Sequence, residues 1–270
     1  MSAAKRTARD DATSKLVLVA GKQGAAVAEA LAALGDAVVV IGGMATELQL
    51  RLRSVEHRPT GDLDSLSLDR RICGDRLVGL GADAVGESWQ VRSSGLTVDV
   101  IEVDPQVDTA GLGDEDDLDW WMITHQWALG AYDSVTIAVT GAVTGAESVA
   151  ARAPVHARIA SPAALVAMKT ASVPLRRSST PHKRGSDLFD ILQLATFAGD
   201  DILNRLRDAD PVLRIGIGRR LVEWYALPAT LRELLGAVPT TLTRPTLDDF
   251  DVVVELGARL LGSDTRDSAR

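Results

Sequence analysis

The chain is poor in cysteine and in aromatic residues, and these shortages exclude several classes of protein. Its only cysteine among 270 residues is Cys73, so it can form neither an internal disulfide nor a cysteine-based zinc site. Phe, Trp and Tyr together make up 4% of the residues, too few for the stacking platforms of general single-strand nucleic-acid binders. No apolar run approaches the ~20 residues of a membrane span. We therefore expect a protein of a reducing, cytoplasmic compartment with no membrane partner.

The composition is that of an ordinary globular protein with an acidic balance. Hydrophobic residues make up 46% of the chain, charged residues make up 24%, and the formal net charge is -8. The length suits one large domain or two modest ones. Because the whole chain is acidic, contact with phosphate requires a local basic patch or a bound metal ion.

The pattern along the chain predicts an α+β protein, in which a small mixed sheet with flanking helices precedes a helical C-terminal half. Residues 16–150 alternate short strand-forming runs with turns and one early helix, and residues 151–262 are mostly helical in pattern. The polar start, residues 1–15, has no apolar core, so we expect a disordered tail and not a signal peptide. We expect residues 263–270 to be frayed.

Several segments contain residues that are typical of the beginning or the end of a helix. A helix is predicted over Ala25 to Leu34, closed by Gly35, and Ala37 to Ile41 reads as a short buried strand. Ser161 followed by Pro162 predicts the start of a helix.

Further signals lie in the helical half. "RRSSTPHKRG" predicts a basic loop, and the helix after it is expected to have Ser186 or Asp187 as its cap. The last helix is expected to start at Thr246, which an acidic first turn follows.

A glycine pair follows the predicted strand at Ile41. Gly42 and Gly43 allow the backbone to approach a phosphate closely, and the helix "MATELQLRLRSV" begins directly after them. The alternative interpretation is a tight strand-to-helix turn with no ligand.

Acidic residues occur at two places in strand-like segments. In "GDLDSL", a strand with Leu63 facing the core places Asp62 and Asp64 together on the other face. Like charges side by side need a positive partner, and Mg²⁺ prefers oxygen ligands. Asp99 lies within the strand formers of "LTVDVIEV", where a buried carboxylate needs a cation or a donor. The alternative for all three acids is a solvated strand face.

Two other segments resemble functional motifs only loosely. "VLVAGKQGAAVAEAL" has neither the G-x-G-x-x-G nor the G-x-x-x-x-G-K-[ST] order, which argues against a dinucleotide or P-loop site. "WWMITHQW" (Trp120 to Trp127) is more typical of a core or of a seam between domains than of a ligand site, and His125 alone does not make a metal site.

The order of these features is that of the nucleotidyltransferase β fold: a Gly-Gly turn, an Asp-x-Asp strand and a third acid on a later strand. "VVVIGGMATELQL", "HRPTGDLDSL", "SPAALVAMKTASV" and "HKRGSDLFDIL" together resemble the AbiEii/AbiGii-type nucleotidyltransferases, which include the MenT toxins. The resemblance spans roughly residues 36 to 195. Beyond the glycines and the Asp-Leu-Asp strand, the matching residues are Lys169, Lys183, Arg184, Asp187 and Asp190.

The resemblance implies a Mg²⁺-dependent transfer of NMP from an NTP, with two metal ions in the site. By this resemblance the metal ligands are Asp62, Asp64 and Asp99, and Asp99 also helps to deprotonate the attacking hydroxyl. The residues implied in nucleotide binding are Gly42, Gly43, Thr46, Lys169 and Arg184. Asp187 is implied either to orient Lys169 or to act as a base near the acceptor.

The resemblance also implies a biological role. The acceptor would be a tRNA 3′ end or a protein hydroxyl, and the chain would be a growth-arresting toxin with a cognate antitoxin as its partner. Two alternatives stay open: a catalytically silent NTP- or protein-binding module on the same fold, and a small-molecule, antibiotic-type nucleotidyltransferase. A basic patch suits a triphosphate or an RNA end, although a solvated loop is the simpler explanation; its members are Arg176, Arg177, His182, Lys183 and Arg184.

Overall fold

A computed structural model describes residues 15–58, 60–109, 111–140, 143–144, 147–148, 153–176 and 181–262. The two predicted tails, apart from Lys15, and Arg177 of the basic patch lie outside these residues. The described chain is α+β, as predicted. None of the helices in these ranges is long and apolar enough to cross a membrane.

The strands, in chain order, are β1 (Lys15–Ala20), β2 (Val38–Ile41), β3 (Asp62–Ser67), β4 (Ala82–Val85), β5 (Ser88–Val91), β6 (Thr97–Glu102), β7 (Tyr132–Thr140), β8 (Val143–Thr144), β9 (Glu147–Ser148) and β10 (Val155–Ala160). Eight of them form one mixed sheet in the order β1-β7-β10-β2-β3-β6-β5-β4, and β8 pairs with β9 separately. β10 lies in the sheet between β7 and β2, so the sheet extends beyond residue 150, where we expected the helical half to begin.

The helices of the described residues are α1 (Gly21–Leu34), α2 (Gly42–Arg51), α3 (Arg70–Gly79), α4 (Asp117–Ala128), α5 (Pro162–Leu175), α6 (Pro181–Arg207), α7 (Pro211–Tyr225), α8 (Pro228–Leu235) and α9 (Phe250–Gly262). α1 packs against β7 and β10, whereas α4 and α6 both pack against α5. Four of the described helices precede residue 150, and they include the two predicted at Ala25–Leu34 and after Gly42-Gly43.

The centre of the sheet places two acidic strands side by side. All four side chains of β2 are buried, as a continuous apolar run in a central strand requires. β2 pairs antiparallel with β3, so that Ile41 lies opposite Asp64. β3 pairs parallel with β6, and here Asp64 lies opposite Asp99. The carboxylates of Asp64 and Asp99 are therefore neighbours on one face, beside the point where β2 ends.

Some of the predicted element boundaries are confirmed and others are wrong. α1 ends before Gly35, whose φ is +58°, and the Ser161 side chain accepts a hydrogen bond from the Ala164 amide at the start of α5. α6, however, begins at Pro181, so neither Ser186 nor Asp187 is its cap. The last helix begins at Phe250 rather than at Thr246.

Candidate active site

A cavity of about 230 Å³ lies where β2 passes into α2, beside β3 and below α4, α5 and α6. Among the described residues its lining brings together predicted site residues from distant parts of the sequence. The lining residues are Ile41, Gly42, Asp64, Ile101, Trp121, His125, Leu165, Met168, Lys169, Ser172, Arg176 and Asp187. Gly42, Asp64, Lys169 and Asp187 are the predicted site residues in this set.

Gly42 is required by the close approach of Asp64. Its φ is +67°, a conformation that residues with a side chain rarely adopt, and a Cβ atom here would overlap the Asp64 carboxylate. At Gly43 a Cβ atom would lie 3.1 Å from the Thr60 hydroxyl. The glycine pair therefore lets the start of α2 lie directly against the acidic strand.

The acidic strands carry an excess of negative charge. Asp64 is partly buried, and Asp62, two residues earlier on the same face, is exposed. Burial of Asp64, reinforced by the neighbouring charges of Asp99 and Asp62, raises the pKa of Asp64 from 3.8 to about 6. Lys169 and Arg176 act in the opposite direction but do not cancel this effect.

Lys169 lies in a buried cluster of charges at the other wall of the cavity. Its Nζ donates to Asp190 Oδ2 at 2.6 Å and to Asp187 Oδ1 at 3.2 Å. Burial disfavours the ammonium form, but the two carboxylates outweigh burial and the pKa of Lys169 is raised. Lys169 is therefore a permanently charged cation that the protein already holds in place.

Asp190 ties the segment before β3 to α5 and α6. Arg58 donates to both of its oxygens, Nε to Oδ1 at 3.1 Å and Nη2 to Oδ2 at 2.9 Å. His57 Nε2 lies 3.1 Å from Asp190 Oδ1. Asp190 is fully buried, yet the charges of Lys169, His57 and Arg58 hold its pKa well below the usual range. The sequence interpretation missed His57 and Arg58, which stand just before the Asp-Leu-Asp strand in "HRPTGDLDSL".

Asp187 links the two cations of the cavity. Its Oδ1 accepts from Lys169, and its Oδ2 lies 2.7 Å from Nε of Arg176. Arg176 ends α5 and keeps 34% of its side chain exposed, so it is the more accessible cation of the pair. The basic patch thus contributes Arg176 to the cavity.

Two residues expected to contact phosphate lie elsewhere. Thr46 is buried, and its hydroxyl donates to the Gly42 carbonyl at 2.9 Å, within its own helix. Arg184 forms an ion pair with Glu233 of α8. The close packing of Gly185 on the Glu233 backbone explains this, because it holds that part of α6 against α8. Neither Thr46 nor Arg184 lines the cavity.

The α4 segment packs against the core, as expected, and two of its aromatic rings also line the cavity. Trp120 is fully buried, as expected, and its Nε1 donates to Thr170 at 3.2 Å. Trp121 and His125, in contrast, face the cavity and stack on each other with ring centroids 4.0 Å apart. Burial lowers the pKa of His125 to about 4, which keeps the imidazole neutral at physiological pH.

The chemistry of the cavity is thus divided between a carboxylate side and a cationic side. Asp64 is the strand carboxylate that lines the cavity, whereas Lys169 and Arg176, which both pair with Asp187, bring positive charge to it. Comparisons of the chain with protein-family models, with curated proteins and with solved structures gave no match.

Proposed function

We propose that this chain is a metal-dependent nucleotidyltransferase that transfers NMP from an NTP to a hydroxyl acceptor. The observation that carries the proposal is the position of Asp64: it lines a cavity together with Gly42, Lys169 and Arg176, and it lies directly beside Asp99 of the next strand. The order of these motifs along the chain, which resembles that of the AbiEii-type enzymes, supports the same reaction on a nucleotidyltransferase-like fold.

The donor set suits Mg²⁺ in its chemistry. Asp62, Asp64 and Asp99 share one face of two adjacent strands and offer only carboxylate oxygens. Burial, together with the neighbouring charges of Asp99 and Asp62, raises the pKa of Asp64, and a bound cation would offset both causes. No three His, Cys, Asp or Glu side chains within the described ranges already converge on one point, so the shared strand face is what supports this assignment. When bound, the metal supplies positive charge at the reacting phosphate and favours ionisation of the attacking hydroxyl.

The residues of the chain bind and orient the substrate. The amide groups in the first turn of α2, which begins at Gly42 beside Asp64, donate to phosphate oxygens. Arg176 pairs with the triphosphate, and Lys169 supplies fixed positive charge nearby. The acceptor hydroxyl attacks the α-phosphorus, its proton passes to the Asp99 carboxylate, and the bond to the β-phosphate breaks as pyrophosphate leaves.

The acceptor and the biological role are the finer part of the proposal. By the motif resemblance we propose a tRNA 3′ end as acceptor, and a toxin that a cognate antitoxin neutralises. The partly exposed Arg176 at the cavity suits an RNA or triphosphate ligand.

Label transfer tests the proposal directly. The protein is incubated with each α-³²P-NTP, Mg²⁺ and total tRNA, and the products are separated on a gel. We expect labelled tRNA from the wild type and a loss of at least about 10²-fold to 10³-fold in Asp64→Asn and Asp62→Ala, because each removes a carboxylate from the reacting centre. Circular dichroism checks that both variants remain folded.

Asp83→Asn is the matched control, because Asp83 is a strand acid in an exposed ion pair with Arg92. It is expected to transfer label at the wild-type rate. Transfer that survives in Asp64→Asn would show that the paired carboxylates are not the catalytic centre. NTP binding without any labelled product would support the silent binding module instead.

A further inference from the structure

α4 presents different aromatic side chains to two cavities. Trp121 and His125, four residues apart, lie on the face that lines the candidate active site. Ile123 and Trp127 lie on another face and line a separate cavity of about 620 Å³. One helix therefore offers an aromatic pair to the active site and a matched tryptophan outside it.

His125 is held as a neutral ring with a free acceptor. Its Nδ1 lies 2.8 Å from the Trp121 carbonyl oxygen, which can only accept, so the ring proton is assigned to Nδ1. Nε2 is left as an acceptor, and no described residue donates to it. A neutral imidazole has no charge to attract phosphate, so this part of the lining is not an anion site.

The cavity face of α5 changes from apolar to polar along the helix. Leu165 and Met168 come first, followed by Lys169, Ser172 and Arg176. These positions span roughly 16 Å at the helical rise per residue. Ile41 and Ile101 add to the apolar part of the lining. An elongated ligand with an uncharged end and an anionic end matches this division.

The size of the cavity limits how much of a ligand it encloses. Its volume of about 230 Å³ lies below the roughly 300–1,000 Å³ of pockets that surround a whole drug-sized molecule. One end of a nucleotide fits inside, and the remainder extends through the open side.

We propose that Trp121 and His125 form the base-binding wall of the active site. The aromatic base of the NTP stacks on Trp121, which the His125 ring supports from its other face, while the triphosphate lies along Gly42, Lys169 and Arg176. This inference rests on the proposed nucleotidyl transfer and adds the residues that select a nucleotide over a simple polyphosphate. Stacking on an aromatic ring suits every base, because each has a π-face.

Binding of an NTP and of inorganic tripolyphosphate, both with Mg²⁺, separates the base contact from the phosphate contact. In Trp121→Leu we expect NTP affinity to fall by about 5-fold to 100-fold, the range for loss of one base–aromatic contact. Tripolyphosphate affinity should stay unchanged, and Trp121→Phe should retain most of the NTP affinity. Trp127→Leu, on the same helix but in the other cavity, should bind both ligands as the wild type does.

A second measurement does not depend on the Leu variant. NTP binding should quench tryptophan fluorescence in the wild type and in Trp127→Phe but not in Trp121→Phe, and tripolyphosphate should quench none of them. Equal loss of both ligands in Trp121→Leu, or quenching that persists in Trp121→Phe, would overturn the base-binding wall while leaving nucleotidyl transfer intact. A wild-type protein that binds neither ligand would instead refute the proposed function.

Discussion

Asp64 and Asp190 are two carboxylates withdrawn from solvent, and they have opposite surroundings. Asp64 lies on the sheet beside other acids, and burial with these charges raises its pKa to about 6. Asp190 lies in α6 among Lys169, Arg58 and His57, which hold its pKa well below the usual range. The protein itself therefore compensates the charge of Asp190, whereas Lys169 and Arg176 offset the surroundings of Asp64 only in part. Asp190 thus positions the scaffold, and Asp64 is the acid that we propose for chemistry.

The largest loss of stability is expected from removing the carboxylate of Asp190, whose charge the protein compensates. Asp190→Asn removes the carboxylate that Lys169, Arg58 and His57 share and leaves Lys169 with Asp187 alone, so we expect the free energy of unfolding to fall by about 3–5 kcal/mol. Urea denaturation at pH 7.5 measures the change. Asp83→Asn, which breaks an exposed ion pair with Arg92, should leave the urea midpoint essentially unchanged. A midpoint for Asp190→Asn that equals that of the control would show that the buried cluster does not hold the fold.

The pH dependence of this effect follows from the lowered pKa of Asp190. Its folded pKa lies below the unfolded value of 3.8, so its contribution is fully present above about pH 4 and is lost as the pH falls through the folded value. The part of the stability difference that comes from the ionisation of Asp190 itself should therefore be constant from pH 5 to pH 8.

The sequence predicted the local geometry around Asp64 better than the cluster around Asp190, and the reason is distance along the chain. The Asp-Leu-Asp strand and the turn at Gly42 follow from side-chain alternation and from glycine chemistry, which act over a few residues. Arg58 and Asp190 are 132 positions apart, and no local pattern indicates that they meet.

The remaining differences from the sequence predictions also have tertiary causes. Trp121 and His125 form a helix face that serves equally well as core or as cavity lining, and only the placement of α4 beside α5 decides between these. Arg184 looked available for phosphate, but the packing of Gly185 on α8 directs it to Glu233. Ser186 and Asp187 resembled helix caps, but α6 extends back to Pro181. Local propensity could not show which neighbours would extend or redirect these segments.

A smaller loss of stability is expected when a side chain at Gly42 pushes the glycine turn away from the acidic strand. Gly42→Ala forces a side chain into a φ of +67° and against the Asp64 carboxylate, so we expect about 2 kcal/mol of destabilisation together with reduced label transfer. Thermal unfolding and the transfer assay measure the two effects. Gly79→Ala is the control, because Gly79 ends α3 with open space around it, and its melting temperature should stay the same or rise slightly. Equal melting temperatures and equal label transfer in the two variants would show that the close contact of Gly42 with Asp64 does not require a glycine.

The smallest change in stability is expected for Asp64→Asn, and its sign is opposite to that of Asp190→Asn. It tests the difference between the two carboxylates most directly. Because the folded pKa of Asp64 is about 6 and its unfolded pKa is 3.8, the native state binds the proton more tightly, and stability falls as the pH rises from about 4 to 6. Asp64→Asn removes this penalty, so we expect it to be more stable than the wild type by about 1–2 kcal/mol at pH 7.5, a figure reduced from the full shift because Asp64 is only partly buried.

The gain in stability should shrink towards zero at pH 4, where the wild-type carboxyl is already protonated, and Mg²⁺ should narrow it at pH 7.5 by stabilising the wild type alone. Thermal melts at pH 4 to 8, with and without Mg²⁺, measure all three. If Asp64→Asn is instead destabilised in the same way as Asp190→Asn, both acids are compensated within the protein, and the reason for placing a cation at Asp64 disappears.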